Sequence, residues 1–238
     1  MSLDWSGAAA AVIHHPLFGI GITLGGYQLA LALFNKTRWI FLQPVLVSML
    51  IVIGVLTTCA VDYAEYRKST EIFGILLGPA TVALAVPLFL NLRRIRQLLW
   101  PTLATLVVGG VVATVSGLAL GWLLGADRLI LMTMAPKSVT SPIAMLVAGQ
   151  LGGIPAMAAV FVLITGVIGA IFGPGVLQLL KVQAPEARGM AYGLTAHAVG
   201  TSLALQEGEE CGAFAALAMS LMGVSTAVFL PLAISLFV

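Results

Sequence analysis

Charged residues are scarce in this sequence. Lys and Arg number 11 and Asp and Glu number 9 among 238 residues, which is 8%, whereas about a quarter of residues are charged in soluble domains. The net charge of +2 leaves no basic surface large enough to neutralise a nucleic-acid backbone. This scarcity excludes a soluble enzyme and a nucleic-acid-binding protein.

Cysteine and histidine are also rare, with 2 and 3 copies. Cys59 and Cys211 lie in or beside apolar stretches without a CxxC or Cys/His grouping, so we interpret them as small hydrophobic residues. His14 and His15 are adjacent but have no third ligand, which is a weak signal for a metal. No redox chemistry, metal site or cofactor is predicted. Asp4 precedes the first apolar stretch without any basic residue, which is not typical of a cleaved signal sequence.

Apolar residues dominate the chain instead. Hydrophobic residues make up 60%, the mean hydropathy is +1.09, and 26 Gly and 11 Pro accompany them, as in membrane bundles. A helix needs about 20 residues to cross about 30 Å of hydrocarbon. The uncharged stretches cover residues 5–35, 39–61, 72–92, 97–126, 138–180, 189–206 and 211–238. Stretch 138–180 is too long for one crossing and divides at its Gly and Pro residues in 149–155, which gives about eight segments.

The predicted fold class is therefore an all-α, polytopic membrane helical bundle. It forms a single transmembrane domain, 1–238, with four segments in 5–126 and the segments that carry the candidate site in 129–238. The string GVVATVSG at 110–117 aligns with GVIGAIFG at 166–173, and this spacing predicts internal repeats. The alternative is that Gly- and Ala-rich helices resemble one another through composition alone.

The positions of Lys and Arg predict the topology, because short basic loops favour the cytoplasmic side. Basic clusters occur at 36–38, 93–96 and 181–188. All three reach the same side only if segment 137–148 enters and leaves the membrane from the outside. The internal repeat then predicts that 193–206 is a second re-entrant or broken helix, which enters from the cytoplasm. Two interrupted helices that meet from opposite faces are typical of transporters.

The first polar group lies in APKSVTSP at 135–142. Its two prolines interrupt helical hydrogen bonding, so backbone N–H groups near a helix start could bind an anion together with Ser138, Thr140 and Ser141. Lys137 would supply the countercharge. The alternative is that Lys137 extends from a helix end to the membrane interface.

The second polar group lies in TAHAVGTS at 195–202, where a histidine interrupts apolar residues. His197 could donate to a substrate carboxylate or hydroxyl, or carry a proton, and Gly200 and Thr201 repeat the combination of helix breaker and hydroxyl. A buried structural histidine is the alternative. Glu207 begins an acidic turn that is either a solvated loop or a second candidate for proton coupling.

These strings resemble the LrgB/CidB family of bacterial membrane proteins. The resemblance rests on PKSVTSPIA at 136–144, GGIPA at 152–156, residues 161–174, ARG at 187–189, AHAVGT at 196–201, EGEE at 207–210 and GAF at 212–214. It covers most of the C-terminal half, while the N-terminal half matches mainly in hydropathy. Ser202 departs from the pattern, where a small apolar residue is expected.

The resemblance implies two kinds of function. The family was first described as holin-like or antiholin-like proteins that act with a small LrgA/CidA-type membrane partner to control murein hydrolase export and lysis. Plant relatives resemble plastid glycolate/glycerate translocators, and some bacterial members are associated with pyruvate uptake. A carrier fits the two polar groups, whereas a holin requires no such paired site.

We therefore expect a multi-pass carrier in the inner membrane of a bacterial cell. Its small anionic substrate would be a monocarboxylate such as glycolate, glycerate, lactate or pyruvate, and we expect homo-oligomers in the lipid bilayer beside the small partner. A pore-regulating lysis protein is the alternative. An intramembrane enzyme lacks a nucleophile–base or metal set, so no enzymatic activity is predicted.

Overall fold

The computed structural model describes residues 11–37, 39, 42–83 and 85–236. These ranges contain helices and no strand, which confirms the all-α prediction. Asp4, the first residues of the first predicted segment, Arg38 and residues 237–238 lie outside the described residues. The chain divides into two compact units, Met1–Ala83 and Leu84–Val238, and each is described by itself. The single transmembrane domain and the internal repeats stay predictions.

Four helices of the first unit are described, and two of them begin at a capping side chain. They are α1 (Phe18–Thr37), α2 (Pro44–Thr58), α3 (Tyr63–Ser69) and α4 (Glu71–Ala83). Before α2, the side chain of Gln43 accepts a hydrogen bond from the Val45 N–H at 2.8 Å. Asp62 caps α3 in the same way through the Ala64 N–H at 2.7 Å, because a capping oxygen satisfies a donor that the first helical turn leaves free.

The second unit contains the two candidate polar groups. Its helices are α5 (Ala85–Leu90), α6 (Leu92–Gln97), α7 (Leu99–Leu123), α8 (Arg128–Met134), α9 (Ser141–Gln150), α10 (Pro155–Leu179), α11 (Pro185–Glu207) and α12 (Glu209–Ser235). Helix α11 packs between α10 and α12. A hydrophobic core joins Val139, Val162, Leu194, Phe214 and Met222, so residues next to both polar groups share one core.

Four described helices are long and apolar enough to cross a membrane. These are α1, α7, α10 and α12, with 20, 25, 25 and 27 residues, which correspond to about 30–40 Å at about 1.5 Å per residue. Large apolar side chains such as Val107, Val111 and Leu123 are exposed on α7, as lipid-facing residues would be. Helix α2 is apolar but shorter, so the predicted count of about eight segments stays a prediction.

The first interrupted segment consists of α8, the connection 135–140 and α9. Pro142 occupies the first turn of α9, where its missing N–H breaks no helical bond. The chain then returns beside α8, because the Ile154 N–H donates to Thr133 Oγ1 at 2.9 Å. Helix α10 begins at Pro155, which confirms the predicted division in 149–155 and an interrupted helix beside Lys137.

The second interrupted segment is α11, which reverses direction at His197. The backbone of His197 has φ 42° and ψ −126°, so two limbs, 185–196 and 198–207, meet at this residue. Arg188 and Glu207, 19 positions apart, form an ion pair of 2.7 Å. Since the ends of a straight helix of this length would lie about 30 Å apart, α11 is a hairpin. We call 197–201 its tip, and Arg188 with Glu207 its base.

Glycines allow the hairpin to approach both neighbouring helices closely. A Cβ at Gly189 or Gly193 would collide with backbone carbonyls of α12, those of Cys211 and Ala215. On the other side, a Cβ at Gly166 of α10 would lie 2.7 Å from the His197 ring. Glycine is therefore needed on both sides of the hairpin. It lies on the hairpin itself where the hairpin meets α12, and on α10 where that helix meets the His197 ring.

Candidate functional site

Lys137 crosses the face of α7 well inside that helix. Its Nζ donates to the Ala113 carbonyl at 3.2 Å and to Ser138 Oγ at 3.3 Å. A Cβ at Gly117 would lie 2.5 Å from Lys137 Cε, so the lysine stem needs a glycine there. Gly117 precedes the α7 terminus by about 9 Å and Ala113 by about 15 Å, at about 1.5 Å per residue. The ammonium group thus lies next to the middle of a candidate span.

The Lys137 ammonium has no carboxylate partner in the described part of the chain. The four ion pairs found there join other residues. Lys137 is half-buried, and its two hydrogen bonds go to neutral oxygens. A cation removed from water is costly unless an anion or several hydrogen bonds compensate it. The position is therefore electrostatically suited to an added anion.

Three residues with hydroxyl groups follow Lys137 in the sequence. Ser138 is buried, with 4% of its surface exposed, and its oxygen accepts from Lys137. Thr140 is the residue before α9, yet its side chain forms no capping bond, and Ser141 is the first residue of α9. Neither Thr140 nor Ser141 makes a side-chain hydrogen bond within the described ranges. Because a helix N-terminus carries partial positive charge, these hydroxyls and the cation favour the same kind of ligand.

His197 lies in the tip, against the middle of α10. It is 4% exposed, and its Nε2 lies 2.9 Å from the Val162 carbonyl oxygen. A carbonyl can only accept, so Nε2 carries the hydrogen and Nδ1 is left as an acceptor in the neutral ring. The positive φ of this non-glycine residue costs about 1–3 kcal/mol. Contacts elsewhere in the unit must therefore hold the tip in place.

Gly200 and Thr201 close the tip behind the histidine. The Thr201 hydroxyl donates to the His197 carbonyl at 2.8 Å, and Thr201 is 2% exposed. A Cβ at Gly200 would collide with the Tyr192 carbonyl, so the second limb needs glycine to fold against the first. The structure thus brings together all three residues predicted for the second polar group.

The two polar groups approach the same helix without a direct hydrogen bond between them in the described residues. Gly109 of α7 faces Leu194, three residues before His197, and Ala113 bonds Lys137. These two α7 positions are about 6 Å apart along the helix axis. Lys137 and His197 therefore hydrogen-bond to different backbone carbonyls, those of Ala113 and Val162, and α7 is the helix that both segments contact.

Arg188, Tyr192 and Glu207 form a network at the base of the hairpin. Arg188 Nε and Nη2 donate to the two Glu207 oxygens at 2.7 and 2.8 Å, and the Tyr192 hydroxyl donates to Glu207 Oε1 at 2.6 Å. Burial alone would raise the pKa of Glu207, but the bonds from Arg188 and Tyr192 outweigh it and lower that pKa. Sequence reasoning identified Glu207 but used Arg188 only to predict the topology. The signal that could have predicted their ion pair is the presence of opposite charges on the two sides of a broken helix.

Arg94 connects α6 to the helix starts beside this base. Its Nη2 lies 2.8 Å from a Glu186 oxygen and its Nε lies 3.2 Å from a Glu210 oxygen. The basic clusters 93–96 and 181–188 therefore lie at the same end of the second unit, as the topology prediction requires. Part of the acidic turn after Glu207 is paired with arginine and is not simply solvated.

Comparisons with known proteins cover nearly the whole chain. The model of the LrgB-like family matches residues 23–236. The YxaC protein of Bacillus subtilis (strain 168) is 36% identical over 91% of this chain and 94% of its own length. The antiholin-like protein LrgB of Bacillus mycoides (strain KBAB4) is 31% identical over 91% of this chain and 95% of its own. No solved structure matches the chain.

Proposed function

The chain belongs to the LrgB-like family of membrane proteins, and on that premise we propose that it is a secondary transporter of small monocarboxylates. Glycolate, glycerate, lactate and pyruvate are the substrates we would test. The observation that carries the proposal is Lys137, a half-buried cation that hydrogen-bonds to Ser138 and has no carboxylate partner among the described residues. A pore needs no such group at this depth, whereas a carboxylate carrier does.

In this proposal the two polar groups bind opposite ends of the substrate. Lys137 neutralises the carboxylate, and Ser138, Thr140 and Ser141 donate hydrogen bonds to it. His197, Gly200 and Thr201 line the other end, where the substrate carries its hydroxyl or keto oxygen. Movement of one group of helices relative to the rest would then expose the site alternately to the two sides of the membrane.

We also propose that transport is coupled to protons and takes place in the inner membrane of a bacterial cell. The candidates for proton coupling are His197, through its free Nδ1, and Glu207, whose carboxylate would release Arg188 and Tyr192 on protonation. A homo-oligomer that works with a small LrgA/CidA-type membrane protein completes the proposal.

A pore regulator that controls murein hydrolase export is the second candidate. The observation that favours it is the name of several relatives, antiholin-like protein LrgB, at 30–31% identity over 91% of the chain. It predicts leakage that does not saturate with substrate. It also predicts that neutral replacements of Lys137 and His197 are tolerated.

Uptake of labelled pyruvate, glycolate and lactate into proteoliposomes distinguishes the two functions. We expect saturable uptake that falls about ten- to a hundredfold in Lys137→Ala, because a hydrogen bond to a charged group contributes about 1.5–3 kcal/mol, and that also falls in His197→Ala. Lys36→Ala, which removes an exposed cation from the last turn of α1, is the matched control and should transport normally. Size-limited dye leakage that all three variants retain, without saturable uptake, would replace the transporter with the pore regulator.

A further inference from the structure

The base of the α11 hairpin is built from residues that lie far from the tip along each limb. Arg188 is nine residues before His197 and Glu207 is ten residues after it, which places the pair about 14 Å from the tip. The pair is bidentate, with bonds of 2.7 and 2.8 Å, and Arg188 also donates to the Val182 carbonyl at 3.2 Å. This geometry joins the first limb, the second limb and the preceding connection.

The backbone conformation of the tip is unfavourable in isolation. His197 has a positive φ, and an unfavourable backbone conformation persists only where surrounding contacts determine it. The side-chain hydrogen bonds of the tip run from Thr201 to the His197 carbonyl, from His197 to Val162 of α10, and from Thr201 to the Met219 sulfur of α12 at 3.8 Å. The first is local and the other two go to neighbouring helices, so none of them joins the first limb to the second. Between the limbs, side-chain hydrogen bonds in the described residues occur only at the base, from Arg188 and Tyr192 to Glu207.

We propose that Arg188 and Glu207, with Tyr192, are positioning residues that hold the hairpin closed and thereby keep His197 and Thr201 buried at the substrate site. The substrate role of the tip rests on the proposed function, but closure of the hairpin does not. None of the three residues touches the substrate in this scheme. They act through the distance between the limbs, and opening the base would expose the tip to the end of the unit where Arg94 lies.

Accessibility of a cysteine in the tip tests this directly. The native cysteines are replaced as Cys59→Ser and Cys211→Ser, so that residue 211 keeps a donor for the Glu207 carboxylate, which the Cys211 thiol reaches at 3.9 Å. Thr201→Cys then places a thiol where the threonine hydroxyl lies, at a position that is 2% exposed. The rate at which a membrane-impermeant maleimide labels this cysteine is measured in proteoliposomes. We expect slow labelling with the intact base and at least tenfold faster labelling with Glu207→Gln or Arg188→Gln.

Two further variants separate closure from general damage. Glu210→Gln makes the same chemical change three residues away, where the ion pair joins α12 to Arg94, and should leave the labelling rate unchanged. The double variant Arg188→Gln/Glu207→Gln should label no faster than either single variant, since both remove one shared interaction. Multiplied effects in the double variant, or equal rates in Glu207→Gln and Glu210→Gln, would overturn the proposal.

A milder variant and a transport measurement complete the test. Tyr192→Phe removes a hydroxyl that donates to Glu207 at 2.6 Å and accepts from Arg188 at 3.0 Å. It should raise the labelling rate severalfold even if the charge variants fail to fold, and unchanged labelling would count against the proposal. For uptake, Tyr192→Phe, which keeps both candidates for proton coupling, should raise KM more than it lowers the maximal rate, whereas loss of folded protein lowers the maximal rate alone. Labelling needs no substrate, so the expected labelling pattern without monocarboxylate uptake refutes the transporter and not the closure.

Discussion

Replacing Gly117 with alanine should disable the site at a small cost in stability. The new Cβ would lie 2.5 Å from Lys137 Cε and 3.2 Å from Nζ, whereas carbon atoms in contact are about 3.5–4.0 Å apart. The lysine must therefore retreat by about 1 Å or more. Its bond to the Ala113 carbonyl, already 3.2 Å long, would then exceed hydrogen-bonding distance.

The expected magnitude follows from what is lost and what is gained. A displaced ammonium group would also lose its hydrogen bond to the substrate carboxylate. Such a bond to a charged group contributes about 1.5–3 kcal/mol, which corresponds to a rise of about ten- to a hundredfold in KM. Alanine in a helix interior is favoured over glycine by about 0.5–1 kcal/mol, which offsets part of the lost bond between Lys137 and Ala113, so the free energy of unfolding should fall by no more than about 0.5–2.5 kcal/mol. The two readouts are KM for uptake in proteoliposomes and thermal unfolding in detergent.

Gly110→Ala is the matched control on the same face of α7. Its Cβ would lie 3.0 Å from the Met222 sulfur, and this flexible thioether belongs to neither polar group. We expect an unchanged KM for this variant. If Gly117→Ala and Gly110→Ala both kept the KM of the unmodified protein, Lys137 would not hold the substrate in the observed conformation.

Three other predictions concern stability and can be checked by thermal unfolding. Gly166→Ala should destabilise the protein by about 1–3 kcal/mol, because its Cβ would lie 2.7 Å from the buried His197 ring. The Cβ of the control variant Gly175→Ala would meet no atom within 4 Å, so this variant should be tolerated. Equal melting temperatures of the two variants would contradict this packing. Asp127→Ala should cost about 1 kcal/mol, since Asp127 accepts the Ile130 N–H at 2.8 Å at the start of α8, and Asp127→Asn should recover most of the loss. The pKa of Glu207 is lowered in the folded protein, so its ion pair stabilises the fold above the ordinary carboxyl pKa and loses this effect as the pH falls through the lowered value. Acidification below about pH 4 should therefore reduce the melting temperature of the unmodified protein more than that of Glu207→Gln. Parallel dependence of the two melting temperatures on pH would argue against this role of the ion pair.

Local sequence signals were enough to find the interrupted helices. The prolines at 136 and 142 and the polar residues between them predicted the break before α9, because proline removes a helical donor and fixes its own backbone. The second break, in 193–206, was predicted from the internal repeat, and Gly200 with Thr201 offers a similar local combination of helix breaker and hydroxyl. A single sequence reveals these signals because none of them requires a contact between distant residues.

The contacts that organise the site depend on residues far apart in the chain. Lys137 rests on Gly117, and Arg188 pairs with Glu207 across 19 positions, so neither contact follows from local spacing. The positive φ falls on His197 rather than on the nearby Gly200, against the usual preference of glycine for that conformation. Tertiary packing against α10 selects this residue, and only the folded unit reveals it.

The hydrogen on His197 Nε2 gives the tip a polarity of its own. With that hydrogen committed to the Val162 carbonyl, the remaining ring nitrogen can receive a hydrogen but has none to offer. A glycolate or lactate molecule brings a hydroxyl hydrogen that this nitrogen can accept, whereas the keto oxygen of pyruvate brings only lone pairs. In the proposed carrier, the neutral imidazole would therefore discriminate against keto acids by leaving two acceptors face to face, and a protonated imidazole would remove that discrimination.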